Sequence, residues 1–137
     1  LNASWDEIDW DRGLWTIPGS RMKAGKDHRV PLSSPASTIL SEMAELKINE
    51  FIFPGAKLGR PLSQMSLLML LRRMGYGYIT THGFRSSFRD WVAECTTFPG
   101  EVAELALAHT MPSAVEAVYR RGDMLEKRRS LVEAWTV

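Results

Sequence analysis

WDEIDWDRGLWTIPGSRMKAGKDHRVPL, residues 5–32, decides the fold class, because the rest of the chain carries helical signals. Trp5, Ile8 and Trp10 mark a short apolar segment. Asp11-Arg12-Gly13 is a turn, and Gly13 suits a left-handed bulge position. Leu14 to Met22 follows, with Trp15 and Ile17 alternating. Ala24-Gly25-Lys26-Asp27 is a second turn. His28 to Leu32 then returns, with Val30 and Leu32 on one face. The stretch predicts a three-stranded antiparallel meander with Lys23 beside its second turn.

Outward from this sheet the periodicity changes. Ser34 is expected to cap a helix with Pro35 at its first position, and Ile39, Leu40, Met43 and Leu46 follow at helical spacing. Phe51 to Pro54 is a brief extended piece, and Gly55 to Gly59 is a loop. Pro61 to Met74 predicts a strongly apolar helix ending near Gly75 and Gly77. Thr80 or Thr81 is expected to cap a helix running through Cys95, and Pro99 to open one reaching Ala108. Ser113 is a cap for a short helix, Ala114 to Arg121, stopped by Gly122. Met124 to Trp135 is the last helix, with Leu125, Leu131, Val132 and Trp135 on one side. There is no internal repeat and no low-complexity tract.

The length of 137 residues suits one domain, and 45% hydrophobic residues suffice for a core. The longest apolar run, Leu67 to Leu71, is far too short to cross a bilayer. The acidic N-terminus has no basic or apolar signal-peptide region. Cys95 is the single cysteine, which rules out an internal disulfide framework; it is expected in a reduced core. The net charge of +1 hides a segregation. Asp6, Glu7, Asp9 and Asp11 crowd the start with no base. Lys57, Arg60, Arg72, Arg73, Arg85 and Arg89 lie in a stretch without acids. Arg12, Arg21, Lys23, Lys26 and Arg29 face Asp27 alone. Two basic segments brought together suit a polyanion; on charge alone, ordinary solvated charge is the favoured reading.

Phe84, Phe88, Trp91, Val92 and Cys95 form one helical stripe, expected to face the core. His82, Arg85 and Arg89 form the neighbouring stripe. A guanidinium near a helix N-terminus, where amide N–H groups are unpaired, can grip a phosphate in bidentate fashion. The competing reading is a surface arginine beside a capping histidine. His109 continues the stripe of Val102, Leu105 and Ala106 and points inward or into a cleft. Tyr119 stands ten residues later, next to Arg120 and Arg121, in a setting that also suits a core tyrosine. A tyrosine needs cationic neighbours or a base to act as a nucleophile. The histidines and the cysteine lack metal-ligand spacing, and neither a Gly-rich phosphate loop nor a G-x-S-x-G elbow is present.

The ordered series is a lysine beside a β-turn, H-x-x-R at a helix start, L-A-H, and a tyrosine ten residues on. With its flanks, "RMKAGKDHRVPLS", "THGFRSSFRDW", "ELALAHT" and "AVEAVYRRGDMLEKRRSLVEAW", it resembles the catalytic domain of the tyrosine recombinases, the phage-type integrases. The look is nearest to integrases of prophages and genomic islands, and it runs along nearly the full chain. The resemblance implies an α+β, mostly α fold. A small N-terminal three-stranded antiparallel sheet would pack on a helical bundle, as in the recombinase catalytic fold truncated at its N-terminal side. Residues 1–137 would form a single domain, with the meander in 1–33 and the helical part in 34–137. The family's first phosphate-binding arginine and its N-terminal DNA-clasping domain are expected to lie outside this chain.

Residue by residue, the resemblance implies that Tyr119 attacks a DNA phosphodiester, forms a 3′-phosphotyrosyl link and releases a 5′-hydroxyl. Arg85 would bind the non-bridging phosphate oxygens. Lys23 would be the general acid for the leaving oxygen, with Lys26 its rival. His82 would assist proton transfer, and His109 would hydrogen-bond the phosphate and brace the site. Arg89, Arg120 and Arg121 would add DNA contacts. Neither cofactor nor metal is implied, nor a membrane or a small-molecule substrate. The implied partner is double-stranded DNA at attachment sites, bound by a homo-multimer, with helix 124–135 docking in cis or in trans. The implied location is the bacterial cytoplasm, at the nucleoid. Two other functions fit the same residues: a non-catalytic DNA-binding remnant of a decayed integrase, and a type IB topoisomerase-like nicking-closing enzyme.

Overall fold

A computed structural model describes residues 1–109 and 122–136. The N-terminal meander forms as the alternation predicts. Strands β1 (Ile8–Asp9), β2 (Leu14–Ile17) and β3 (His28–Pro31) pair antiparallel in the order β1-β2-β3. Ile8 stands opposite Trp15, and Leu14 opposite Pro31. Gly13 takes φ +58° in the first turn, the left-handed conformation that glycine adopts without a Cβ penalty. β2 ends at Ile17 rather than continuing to Met22, because Pro18 has no N–H to give the ladder. A short 3₁₀ turn, Gly19–Arg21, replaces the extra length.

Five helices follow among the described residues: α1 (Ser34–Glu45), α2 (Met65–Arg73), α3 (Gly83–Cys95), α4 (Gly100–Ala106) and α5 (Leu125–Trp135). The architecture is therefore mixed, mostly helical, with one small antiparallel sheet. The predicted Ala114–Arg121 helix lies outside the described residues. The start of α1 corrects the expected cap. Ser34 is already helical, and its backbone N–H is accepted by Glu133 Oε2 of α5 at 2.8 Å. Thr80 does act at the start of α3: its Oγ1 accepts from the Gly83 N–H at 3.1 Å.

Two apolar clusters organise the chain. Ala3, Trp5, Ile8 and Ile52 are buried together, with Trp15, Leu32, Leu40 and Met43 packed around them. Phe88 and Val92 of α3, Val102 and Ala103 of α4 and Leu131 of α5 form the second cluster. Trp135 locks α5 onto α3 through edge contacts with Phe88 and Trp91 at 5.4 and 5.0 Å, a geometry aromatic rings favour.

The α3 stripe is narrower than expected. Phe84 and Cys95, at its ends, are exposed, because α4 and α5 cover only the central turns. The cysteine is therefore not in the core. α2 also departs from expectation: it is shorter, Pro61 instead bridges to Pro54, and Met65, Leu67, Met69 and Leu70 are exposed.

A polar joint ties α5 to the sheet. Arg128 is 1% exposed. Its Nε donates to the Asp123 carbonyl at 2.7 Å, its Nη1 to the Arg29 carbonyl at 2.5 Å and its Nη2 to Asp123 Oδ2 at 2.7 Å. The Arg29 side chain grips the same carboxylate with Nε and Nη2 at 3.0 and 2.8 Å. The buried guanidinium is thus hydrogen-bonded as well as paired, which is the condition for burying a charge.

Candidate active site

The loop between β2 and β3 carries Lys23 and Lys26, and its base is closed tightly. The Gly19 N–H donates to Asp27 Oδ1 at 2.8 Å. A Cβ on Gly19 would stand 2.6 Å from the Gly25 carbonyl oxygen, so only glycine fits that crossing. Opposite the loop, α4 ends in a reversal. Ala108 takes φ +53°, and the His109 N–H returns to the Glu104 carbonyl at 2.9 Å. This is the Schellman pattern, with alanine where glycine is usual.

Between loop and reversal lies a cleft of about 500 Å³, lined by Lys23, Lys26, Asp27, His28, Arg85 and His109 among others. Arg85 reaches it from the first turn of α3. Its Nε donates to His109 Nε2 at 3.2 Å, and its Nη2 donates to the Leu107 carbonyl. His109 Nδ1 meets Glu104 Oε2, whose other oxygen accepts from Arg89 Nε. The hydrogen bond from His109, then that from Arg89, holds the Glu104 carboxyl below the usual carboxylate range. His28 is half-buried; burial, then the nearby Arg128 charge, pushes its imidazole below the ordinary value, favouring a neutral ring.

The structure thus brings Lys23, Lys26, Arg85 and His109 to one cleft from three separate elements. His82 immediately precedes α3, exposed and not among the residues that line the cleft. Arg89 lies one turn beyond Arg85, ion-paired with Glu104. Tyr119, Arg120 and Arg121 lie outside the described residues. Sequence reasoning missed Glu104 and His28. Glu104 precedes His109 by five residues, a spacing that brings side chains together only after a left-handed reversal, and Ala108 gives no sign of one. His28 read simply as the first residue of a strand.

Among the described residues no cluster of histidine, cysteine or carboxylate side chains could hold a metal ion. No helix among them is long and apolar enough to cross a membrane. The cleft is lined by cationic groups with a braced guanidinium among them, an arrangement whose charge and directed N–H groups suit an oxyanion.

The chain belongs to the phage integrase family, whose model matches residues 1–126. It is 41% identical to the prophage integrase IntA of Escherichia coli K12, over 97% of this chain and 33% of that protein. It is 33% identical to the prophage integrase IntZ of the same strain, over 94% of this chain and 32% of the relative. It is 30% identical to the integrase of Shigella phage Sf6, over 98% of this chain and 36% of the relative. The chain spans about a third of the length of these curated relatives. No solved structure matches it significantly.

Proposed function

We propose that the protein carrying this chain is a site-specific DNA recombinase that cuts and rejoins duplex DNA through a 3′-phosphotyrosyl intermediate. The observation that carries the reading is the convergence of Lys23, Arg85 and His109 on one cationic cleft. Three cationic or hydrogen-bonding groups from distant parts of the chain line one cleft, which suits a single bound phosphate.

The chemistry follows from these groups. The Tyr119 oxygen attacks phosphorus, forming a P–O bond to the protein while the bond to the 5′-oxygen breaks. Arg85 neutralises charge on the non-bridging oxygens with its remaining N–H groups. His109 braces Arg85 beside the phosphate through Nε2. Lys23 delivers the proton that the leaving 5′-oxygen needs; Lys26 lies on the same loop and is its rival. His82 receives the proton from Tyr119. The 5′-hydroxyl later attacks the phosphotyrosine, so the bond energy is kept and no nucleotide hydrolysis is needed. Arg89, Arg120 and Arg121 add backbone contacts, and the protein works as a homo-multimer on its attachment-site DNA.

The test is an SDS-resistant adduct between the full-length protein and nicked duplex DNA from its attachment site. The adduct is expected with the native protein and is absent in Tyr119→Phe, a change that removes only the hydroxyl. Binding of that DNA without an adduct would reduce the protein to a non-cutting DNA-binding module. Relaxation of supercoiled plasmid by a monomer would instead make it a nicking-closing enzyme.

A further inference from the structure

We propose that Glu104 is the positioning residue of this cleft, fixing the proton of His109 on Nδ1 so that Nε2 holds Arg85 in its phosphate-binding pose. The inference rests on the recombinase reading for its consequence, though not for its geometry. Arg85 Nε is a permanent donor, and it points at His109 Nε2 at 3.2 Å. Nε2 must therefore be the acceptor, which leaves the ring proton on Nδ1. Nδ1 faces Glu104 Oε2, an acceptor-only group when ionised. The three side chains form one directed chain: His109 donates to Glu104, and Arg85 donates to His109.

This direction has a use. A carboxylate behind a histidine selects its tautomer and fixes the ring plane. With Nε2 occupied by Arg85 Nε and the Leu107 carbonyl taking one Nη2 hydrogen, the guanidinium is held at two points. The Nη1 pair and the second Nη2 hydrogen remain for a phosphate. The α4 reversal, at a left-handed alanine, is what folds His109 back onto Glu104. The competing explanation is that Glu104 merely joins α4 to α3 through its ion pair with Arg89.

The two explanations separate on the full-length protein labelled with ¹⁵N at histidine. With the ring neutral, ¹H–¹⁵N correlation of His109, assigned by its loss in His109→Gln, is expected to show the proton on Nδ1. In Glu104→Ala the proton is expected to move to Nε2, the site free imidazole side chains prefer. Adduct formation at saturating DNA is then expected to slow by about 10- to 100-fold, with DNA affinity unchanged. Glu104→Gln keeps an acceptor for Nδ1–H without the charge, so it is expected to retain the tautomer and recover most of the rate. An ion-pair strut predicts the reverse, with the glutamine variant as impaired as the alanine one. A native His109 bearing its proton on Nε2, or a glutamine variant no better than alanine, overturns the proposal. If the native protein makes no adduct, the recombinase reading fails, while the tautomer still decides the role of Glu104.

Discussion

Arg85 commits Nε–H and one Nη2–H inside the protein and keeps the rest of its fork for the cleft. A lysine has no second arm with which to be braced and grip at once. Arg85→Lys should therefore fold normally yet lower the cleavage rate by about 10²- to 10³-fold, read as adduct formed per unit time at saturating DNA. Arg128 is the opposite case, an arginine wholly consumed by structure. Arg128→Ala would strand the Arg29 carbonyl and leave Asp123 with one cation fewer. About 2–4 kcal/mol of stability should go, measured as a lower urea midpoint. Equal stability in the alanine variant would mean that the joint is solvated. The two residues look alike in the sequence. Arg85 was legible as functional through H-x-x-R, whereas nothing in "EKRRS" distinguished the buried arginine from its neighbours, because its burial depends on β3, whose Arg29 carbonyl lies 99 residues away.

At the scale of elements, α4 shows where local sequence signals stop. Its start at Pro99 and its apolar side were legible. Its reversal was not, since the left-handed position holds alanine and not glycine. Ala108 costs roughly 1–2 kcal/mol in that conformation, and glycine would remove the cost while giving part of it back as unfolded-chain entropy. Ala108→Gly should therefore stabilise the protein by about 0.5–1 kcal/mol in denaturant titration; a loss would mean that the alanine methyl packs productively. The lysine loop makes the converse demand. Alanine at Gly19 would collide with backbone rather than with a flexible side chain, so the loop must shift and carry Lys23 with it. The α1 cap illustrates the same limit of sequence reading. Ser34 looks like a cap, yet it is already helical and its N–H is accepted by Glu133, far along the chain. α2 was legible as a helix from its leucines and methionines, but burial depends on what packs against it, and a periodic pattern carries no information about that.

Taken whole, the molecule is two apolar clusters joined where β3 meets α5, and that joint contains a titrating group on the edge of the cleft. His28 is held below its ordinary value of 6.5 by burial first and by the Arg128 charge second. Asp123 and a bond to the Ala106 carbonyl pull the other way, and Arg85 adds a further push downward. The sign follows from proton counting. Between about pH 6.5 and the depressed folded value, the unfolded chain binds the proton and the folded chain does not. Unfolding is therefore favoured as pH falls through that window, and stability at neutral pH is lost on mild acidification. Glu7, Glu104 and Glu133 are held below their ordinary value of 4.5, so their contributions persist until the pH falls below it. Two separate acid steps are expected. Urea midpoints should fall as the pH drops below about 6.5, then fall again below the carboxylate range. His28→Asn should flatten the first step and leave the second in place. A native protein with a level midpoint across the first window would show that His28 is as free to protonate in the fold as in the unfolded chain, and the joint between sheet and C-terminal helix would then owe nothing to a neutral ring at its edge.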